Sequence, residues 1–447
     1  MIHSRVIAAL VVAATPAVAG PLLPQEDITW LSAFAADVIE ASRVAPGEKV
    51  GDIGPNTSGG PLIRPGGRGA YPAFWIRDYA MSLDCGIIPA AEQRHLLLHT
   101  AAYQQDELLE LMTGSVVPPG SIPDHISFDG KPIFFPGVLD DYEKQGGPRW
   151  GKLPSLDDQF YFIHMAAEYV GQCGERAVLA EKVKNIPLLD RLERAYRMPP
   201  SRPNGLVFAE VDRRGVNFGF FDTTVHTGEL LFASLLKWQA AMELVQLTGD
   251  PARGQAYRQE AEAIAEAVRV TFPRKDGWLR ASTGMSGQPD VWGTAFAVCL
   301  GVLDAQQQQR AAMALAQACK AGTITWRGQI RHVPTDLDFS DSSSWEKSYV
   351  PKNTYQNGAY WATATGWVCR AVATVDETAA SQLAGEYIAA LRADDFRKGD
   401  TYGAPWECMH PEGNHRQNPV YMTSVTVPLA ILGKTELLPG ELNRSVK

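Results

Sequence analysis

Two kinds of hydrophobic pattern alternate along the chain. Segments such as 230–236 and 294–303 are apolar almost all round, which is typical of a helix that neighbouring elements enclose. Segments such as 251–270 and 378–392 carry apolar residues on one stripe and charged residues on the opposite side, as expected of a helix with one face in solvent. The alternation predicts inner and outer helices that follow one another in pairs.

Each predicted inner helix follows a long polar and aromatic segment and starts near a recurring opening sequence. The opening sequences lie at Trp75, Asp157, Asp222, Asp290, Tyr355 and, more weakly, Pro419. Successive openings are 82, 65, 68, 65 and 64 residues apart, and a near-constant spacing indicates one supersecondary unit used repeatedly. Such units stack side by side because none of them can bury its apolar face alone.

Short links separate each inner helix from the outer helix that follows it, as at 88–90, 173–175 and 249–251. With 27–43 as the first outer helix, the pattern predicts twelve helices in six hairpins. The long loops then all lie at one end, beside the N-termini of the inner helices. An open array would expose its first and last inner helices, so we expect an all-α fold, an (α/α)6 toroid that forms a single domain over residues 20–447.

The segment 1–19 is expected to be a secretory signal peptide. Residues 1–5 form a short n-region, residues 6–18 are apolar, and A-V-A at 17–19 provides a small-residue cleavage site. We therefore expect an exported protein, secreted or periplasmic. The apolar run is too short to span a bilayer, and no later stretch reaches about 18 apolar residues, so no membrane association is expected.

Composition and charge narrow the class of ligand. The chain has 447 residues, of which 45% are hydrophobic and 20% charged, so it can bury a sizeable core. Its formal net charge is −9 and it has no basic stripe, which argues against nucleic acid as a partner. A neutral ligand fits this balance better.

The six cysteines do not form a motif. They are widely spaced and include no C-x-x-C pair, which argues against a zinc or redox centre. Cys85, Cys299, Cys319 and Cys369 fall inside helical patterns. We therefore expect buried free thiols in preference to disulfides.

The long loops are too long to serve as connections alone, and we expect them to build a funnel. Aromatic and charged residues alternate in these loops and at the helix starts. They include Trp75, Trp150, Trp345, Tyr355, Trp361 and Trp406, together with Arg77, Asp78, Asp158, Asp222, Glu346 and Glu407. Sugar rings stack their C–H faces on aromatic rings and offer hydroxyls to carboxylates and guanidinium groups. The combination predicts a carbohydrate ligand.

Three segments resemble motifs of the six-hairpin glycosidases, a superfamily that includes glucoamylases, trehalases, processing α-glucosidases and neutral invertases. They are W-I-R-D-Y at 75–79, Y-Q-N-G-A-Y-W at 355–361 and the loop 405–421 with its Glu. By architecture the resemblance covers nearly the whole of 20–447. It implies an (α/α)6 fold and inverting hydrolysis of a glycosidic bond by two carboxylates; the sugar and its linkage stay open.

Inverting hydrolysis needs one carboxylic acid that protonates the leaving oxygen and one carboxylate that activates water, about 6.5–9.5 Å apart. The resemblance assigns the base to Glu407, because members of the superfamily place theirs in the last long loop. An exposed loop acid is the alternative interpretation of Glu407.

Asp222, which is expected to open the third inner helix, resembles the general acid of the processing-glucosidase-like families. Their Asn-Ser-Pro continuation is T-T-V at 223–225 here, so Glu210 and Asp158 remain alternatives. An Asp at a helix start can also be an N-cap, and the helix N-terminus favours its ionised form. A general acid at this position would therefore need its pKa raised by burial.

The remaining candidates are expected to bind substrate. They are Trp75, Arg77, Asp78, Asp158, Tyr355, Asn357, Trp361 and Trp406. A structural salt bridge is the alternative for Arg77 and Asp78, and helix capping is the alternative for Asn357 and for Asp290. His410 and His415 lack H-x-x-x-H spacing, and the glycine-rich run 59–69 lacks the strand and helix of a phosphate loop. No metal or cofactor is expected.

Different classes of function stay open at this point. A sugar epimerase on the same toroid would depend on paired histidines such as His226 and His332. A polysaccharide lyase would need a basic cleft, which the acid-rich loops do not favour. A non-catalytic sugar-binding protein would keep the aromatic residues and tolerate loss of both carboxylates.

Overall fold

The computed structural model describes most of the chain between residues 21 and 434. The described ranges are 21–51, 53–111, 114–136, 151–284, 287–337 and 347–434. The expected signal peptide 1–19 and the funnel candidates Trp150, Trp345 and Glu346 lie outside these ranges.

Twelve α-helices form the body of the described chain. They are α1 (Gln25–Ser42), α2 (Ile76–Leu83), α3 (Ala90–Tyr103), α4 (Asp158–Cys173), α5 (Leu188–Arg197), α6 (Leu231–Leu247), α7 (Pro251–Thr271), α8 (Val291–Leu300), α9 (Ala305–Lys320), α10 (Thr365–Ala373), α11 (Glu377–Ala393) and α12 (Thr423–Leu432). The even-numbered helices are inner and the odd-numbered helices are outer. Every residue of α8 and of α12 is buried, whereas α7 buries one stripe of its surface.

The inner helices form a closed ring. Each packs against the next in chain order, and α12 packs against α2. The first helix, α1, packs against α12, so the two ends of the described chain complete the sixth hairpin. Closure leaves no inner helix with an apolar face in solvent. The predicted all-α (α/α)6 toroid is confirmed.

The loops contain short antiparallel strands, most of them in the long loops. They are β1 (Arg43–Val44), β2 (Lys49–Val50), β3 (Ile53–Pro55), β4 (Leu62–Ile63), β5 (Ala73–Trp75), β6 (Leu109–Glu110), β7 (Val116–Val117), β8 (His125–Ser127), β9 (Pro132–Ile133), β10 (Lys182–Val183), β11 (Ile186–Pro187), β12 (Phe208–Ala209), β13 (Thr224–Val225), β14 (Gly228–Glu229), β15 (Thr325–Trp326), β16 (Gln329–Ile330), β17 (Lys347–Ser348), β18 (Trp406–His410) and β19 (His415–Pro419). β5, β8 and β9 form a three-stranded sheet, and β18 pairs with β19. These two sheets position much of the candidate site.

Two inner helices start later than predicted. Asp222 does not open α6, which begins at Leu231; it follows a 3-10 turn, Gly219–Phe221, and precedes the strands β13 and β14. Tyr355 likewise precedes α10, which begins at Thr365, and its φ of 45° is incompatible with a right-handed helix. Both opening sequences are therefore turns within the loops.

The link after α4 is not tight, contrary to the prediction. Gly174 ends α4 with a φ of 72°, which a glycine adopts without steric cost. A 3-10 helix, Arg176–Ala180, and the β10–β11 hairpin then precede α5. Lys184 and Asn185 turn that hairpin with φ values of 48° and 67°.

Three further features bear on the sequence predictions. Asp290 caps α8, because its side chain accepts a hydrogen bond of 2.7 Å from Gly293 N. All six cysteines are free; Cys299, Cys369 and Cys408 are buried and the other three are partly exposed. Among the described residues, every helix is too short or too polar to cross a bilayer.

Candidate active site

One cavity of about 840 Å³ opens at the loop-rich end of the ring. It lies beside the first turn of α2 and the residues that precede α6, α10 and α12. Its lining includes Tyr71, Trp75, Arg77, Asp78, Asp124, His125, Phe220, Asp222, Thr223, Tyr355, Glu407, His415, Asn418 and Tyr421. The cavity thus brings together six of the predicted site residues.

Glu407 projects into this cavity from β18, the strand that pairs with β19. Its side chain is buried, and both carboxylate oxygens accept hydrogen bonds. Tyr71 Oη donates to Oε1 at 2.5 Å and Asn418 Nδ2 donates to Oε2 at 2.6 Å, while Tyr355 Oη lies 3.4 Å from Oε1. Burial raises the pKa of Glu407 to about 8, although the two donors act to lower it. The donors are arranged to hold a negative charge.

The three residues that surround Glu407 share an uncommon backbone conformation. Tyr71, Tyr355 and Asn418 have φ values of 55°, 45° and 47°. Residues other than glycine rarely occupy this region, and each costs about 1–3 kcal/mol unless the surrounding fold holds it in place. This clustering suggests that the orientation of donors toward Glu407 is built into the fold at the expense of stability.

Asp222 enters the same cavity from the loop before α6. Gln356 Nε2 donates to Asp222 Oδ1 at 2.7 Å, and Gln356 Oε1 accepts from Thr223 N at 2.7 Å. Burial raises the pKa of Asp222 to about 7, whereas the charge of Arg77 acts to lower it. Because Tyr355 approaches Glu407 and the adjacent Gln356 binds Asp222, one short turn links the two carboxylates.

Arg77, in the first turn of α2, contacts residues in the loops around the cavity. Its Nη2 lies 2.8 Å from Asp124 Oδ1 and its Nε lies 3.1 Å from Asp157 Oδ2. Gly219 packs against the guanidinium so closely that a Cβ there would lie 1.7 Å from Arg77 Cζ. Arg77 therefore fixes the turn that carries Asp222.

Asp78 and His125 complete the charged lining. Tyr421 Oη donates to Asp78 Oδ1 at 2.6 Å, and burial raises the pKa of Asp78 to about 6 while Arg77 acts to lower it. The ring of His125 stacks on Trp75 with centroids 4.1 Å apart and planes 16° apart. Its Nδ1 lies 2.7 Å from Asp124 Oδ2. Burial acts to raise the pKa of Asp124, but Arg77 and His125 hold it below its usual value.

Some of the predicted substrate-binding residues lie outside the cavity lining. Trp361 is fully buried and donates from Nε1 to the carbonyl of Tyr355 at 3.3 Å. Asn357 Nδ2 donates to Val350 O at 2.8 Å. Trp406 Nε1 donates to Asp394 Oδ2 at 2.6 Å. In this arrangement, these three side chains hold the loops that carry Tyr355 and Glu407.

Asp158 and Glu210, which the sequence leaves open as the acid, also lie apart from the cavity lining. Asp158 is fully buried, and neither of its carboxylate oxygens has a hydrogen-bond partner among the described residues. Burial and the neighbouring Asp157 raise its pKa well above the usual range. Glu210 is exposed and pairs its backbone with Arg213, earlier in the same loop that carries Asp222. Of the three candidate acids, Asp222 alone lines the cavity that contains Glu407.

His226 and His332 are buried beneath the cavity. His332 stacks on Trp292, with ring centroids 4.2 Å apart, and packs edge-on against Phe221. Burial lowers the pKa of both histidines to about 3. Neither side chain belongs to the lining.

Sequence reasoning missed several groups that contact the candidate residues, notably His125, Gln356 and Tyr421. Gln356 lies inside the Y-x-N-G-x-x-W segment and Tyr421 lies at the weak sixth opening, so both were close to recognised signals. Neither spacing nor residue type indicates that Gln356 reaches Asp222 across 134 positions of the chain.

No family model matches the chain, and no curated protein matches it in sequence. Solved structures do resemble it. A glucoamylase from Hormoconis resinae has a TM-score of 0.57 and 13% identity over 93% of this chain and 74% of its own. A rhamnosidase from Klebsiella oxytoca with rhamnose bound has a TM-score of 0.54 and 11% identity over 93% of this chain.

The chain spans 65% of the length of that rhamnosidase. An uncharacterised conserved protein from Thermus thermophilus gives a TM-score of 0.52 and 13% identity, with 90% of this chain and 99% of that chain covered. The glucoamylase and the rhamnosidase are (α/α)6-barrel glycosidases. The resemblance to the six-hairpin glycosidases is therefore confirmed at the level of the fold.

Proposed function

We propose that this protein is an inverting glycoside hydrolase that cleaves a glycosidic bond in a neutral oligosaccharide or polysaccharide. The observation that carries the proposal is the cavity that contains both Asp222 and Glu407. The two carboxyl groups come from different loops, one before α6 and one before α12, and burial raises the pKa of each. Two carboxyl groups with altered pKa values in one cleft are what general acid and base catalysis requires.

In the proposed reaction, Asp222 is the acid and Glu407 is the base. Glu407 takes a proton from a water molecule, and the water oxygen attacks the anomeric carbon. The bond to the leaving oxygen breaks on the opposite face; that oxygen keeps the bonding electron pair and takes the proton of Asp222. The product has the inverted anomeric configuration.

The hydrogen bonds support this division of roles. Glu407 accepts from Tyr71 and Asn418, which stabilises its ionised form. Burial raises both pKa values, to about 7 for Asp222 and about 8 for Glu407, so these values alone do not assign the roles. A pH profile reports only the pair of values, so variants with matched substrates must separate the roles.

The lining supports a neutral sugar. It carries the carboxylates of Asp78, Asp124, Asp222 and Glu407, and the guanidinium of Arg77 already pairs with Asp124. An anionic uronate would be repelled there, so the lining does not favour a lyase. The stacked pair of Trp75 and His125 offers a flat face for a sugar ring.

An epimerase and a non-catalytic binding protein gain less support than a hydrolase. An epimerase would need His226 and His332 beside the substrate, yet both are buried outside the lining. A non-catalytic binding protein would have no need for strained residues that orient donors toward Glu407. The rhamnosidase and the glucoamylase among the similar structures add support for a carbohydrate substrate.

A panel of aryl glycosides and neutral disaccharides, incubated with purified protein, tests the proposal. We expect hydrolysis of at least one compound by the wild type and strongly reduced hydrolysis by Glu407→Gln. Glu412→Gln is the matched control, because Glu412 is an exposed Glu in the β18–β19 hairpin. Equal rates for the wild type and Glu407→Gln would contradict the proposal.

The proposal includes export, with cleavage after Ala19. It rests on the n-region, the apolar run and the A-V-A site of segment 1–19. Intact-mass analysis of protein recovered outside the cytoplasm should give a chain that begins at Gly20. A recovered chain that still begins at Met1 would contradict this part of the proposal.

A further inference from the structure

Four ionisable side chains meet at the short-link end of the ring, opposite the cavity. Asp84 follows the C-terminus of α2, His164 and Glu168 lie one turn apart on α4, and Glu243 lies in the second half of α6. His164 Nε2 is 2.9 Å from Asp84 Oδ1, and His164 Nδ1 is 2.6 Å from Glu243 Oε1. The cluster therefore joins three consecutive inner helices.

This cluster contains more negative than positive charge. Among the described residues, the ion pairs of Asp84 and Glu243 involve His164 alone, and the carboxylate of Glu168 accepts from Gln172. Glu243 Oε2 is buried without a hydrogen-bond partner in the described part of the chain. One imidazolium cannot balance three carboxylates, and helix C-termini disfavour negative charge further. The cluster has the electrostatic character of a cation site.

The geometry of three of these side chains is compatible with a metal ion. Asp84, His164 and Glu168 each offer a ligand atom, and these atoms lie within 4.8 Å of one another. Two atoms that are each about 2.1 Å from a shared cation lie roughly 3.0 Å apart at a 90° angle and roughly 3.4 Å apart at the tetrahedral angle; Asp84 Oδ1 and His164 Nε2 lie 2.9 Å apart, near the first value. Glu243 is within hydrogen-bond distance of the other ring nitrogen, Nδ1. Carboxylates in this position orient the histidine at many metal sites.

We propose that Asp84, His164 and Glu168 bind one divalent cation that accepts imidazole and carboxylate ligands, such as Zn²⁺ or Mn²⁺. Glu243 is the positioning residue, because it accepts from Nδ1–H and turns Nε2 toward Asp84. The bound cation replaces the second proton of the imidazole. It bridges α2 and α4, and Glu243 connects α6 through the His164 ring, at the end of the ring that takes no part in the proposed hydrolysis.

The test uses the full mature chain without an affinity tag. The protein is stripped with a chelator, incubated with Zn²⁺ or Mn²⁺, desalted and analysed by elemental mass spectrometry and thermal melting. We expect about one metal ion per chain and a melting temperature several degrees above that of the stripped protein. Absence of retained metal with both ions, with unchanged melting, would overturn the proposal.

Variants distinguish this site from adventitious binding. Glu168→Gln, at a partly exposed position, should fold and lose both the retained metal and the response of the melting temperature. His95→Gln is the matched control, because His95 is a partly buried histidine whose ring contacts Ser58 and not a carboxylate; it should retain both. Wild-type metal content in Glu168→Gln would show that the ion binds elsewhere and would contradict the assignment.

Discussion

The two ends of the inner-helix ring hold carboxylates in different electrostatic settings. At the cavity end, Asp78 lies in the first turn of α2 and accepts from the hydroxyl of Tyr421. At the short-link end, Asp84 follows the last turn of the same helix and meets His164. A helix N-terminus favours negative charge and a C-terminus disfavours it. At the cavity end, Asp78 and Asp222 accept hydrogen bonds from the neutral donors Tyr421 and Gln356, whereas Asp84 at the other end pairs with a histidine.

This difference separates the groups suited to proton transfer from those suited to stability. Buried carboxyl groups whose donors are neutral can exchange a proton near neutral pH, as the raised pKa values of Asp222 and Glu407 indicate. The carboxylates that pair with His164 instead join neighbouring helices. The predictions below test this separation.

Removal of one carboxylate at each end should have different consequences. Glu407→Gln should lower turnover by about 10²–10⁴-fold, because it removes proton transfer while preserving shape. Asp84→Asn should instead destabilise the protein by about 1–3 kcal/mol, because it weakens a partly buried hydrogen-bonded pair with His164. Steady-state kinetics and denaturant unfolding of both variants give the comparison. A strong loss of stability in Glu407→Gln would show that Glu407, like Asp84, serves stability, and would contradict the separation.

The stability of the wild type and of Glu407→Gln should depend differently on pH. The pKa of Glu407 in the folded protein, about 8, exceeds its ordinary value of 4.5, so the folded state binds this proton more tightly. The resulting stabilisation is complete below pH 4.5 and is lost as the pH rises through 8. Glu407→Gln cannot titrate, so its free energy of unfolding should exceed that of the wild type by on the order of a few kcal/mol at pH 8.

The control for this measurement is Glu412→Gln, which removes an exposed carboxyl from the same hairpin. Its difference from the wild type should stay near zero from pH 4 to pH 8. If the difference between Glu407→Gln and the wild type is the same at both pH values, burial does not raise the pKa of Glu407.

Gly219→Ala should disrupt the junction between Arg77 and the Asp222 turn. Its Cβ would overlap Arg77 Cζ at 1.7 Å, and overpacking of this kind costs about 1–3 kcal/mol. We expect lower stability together with reduced turnover, measured by unfolding and kinetics. Gly385→Ala in α11 is the control, since no atom lies within 4 Å of the added Cβ, and it should stabilise the protein by up to about 1 kcal/mol.

Two tryptophans should separate ligand binding from packing. Trp75→Ala should weaken sugar binding by about 1–3 kcal/mol, because the ring lines the cavity beside His125. Trp361→Ala should mainly reduce stability, by about 3–5 kcal/mol, since its side chain is fully buried. Calorimetry and thermal melting check both. Unchanged affinity in Trp75→Ala would show that this stacked face does not hold the sugar.

The helical framework could be predicted from the sequence because local signals agreed with the tertiary fold. The expected helix 251–270 is observed as Pro251–Thr271, with Asp250 as its N-cap and Pro251 in its first turn. Asp222 misled the prediction, because an acid before a hydrophobic run resembles an N-cap whether or not a helix follows at once. Here Asp222 follows a 3-10 turn, and two strands lie between it and α6.

The side-chain environment was harder to predict. Trp361 and Trp75 look equivalent in sequence, yet one packs into the core and the other lines the cavity, because residue type does not specify which way a loop side chain points. The His164 and Glu168 spacing was visible as one turn of helix, but Asp84 and Glu243 lie 80 and 79 positions from His164. Contacts between residues so far apart in sequence depend on how the ring of helices closes, which local sequence patterns do not specify.

The most direct test of the account measures two variants on two substrates. Asp222→Asn and Glu407→Gln should both be nearly inactive on a natural glycoside that the wild type hydrolyses. A glycosyl fluoride of the same sugar needs no protonation of its leaving group, so it should restore turnover to Asp222→Asn and not to Glu407→Gln. Rescue of Glu407→Gln alone would reverse the roles, and wild-type rates in both variants on the glycoside would contradict two-carboxylate catalysis in this cavity.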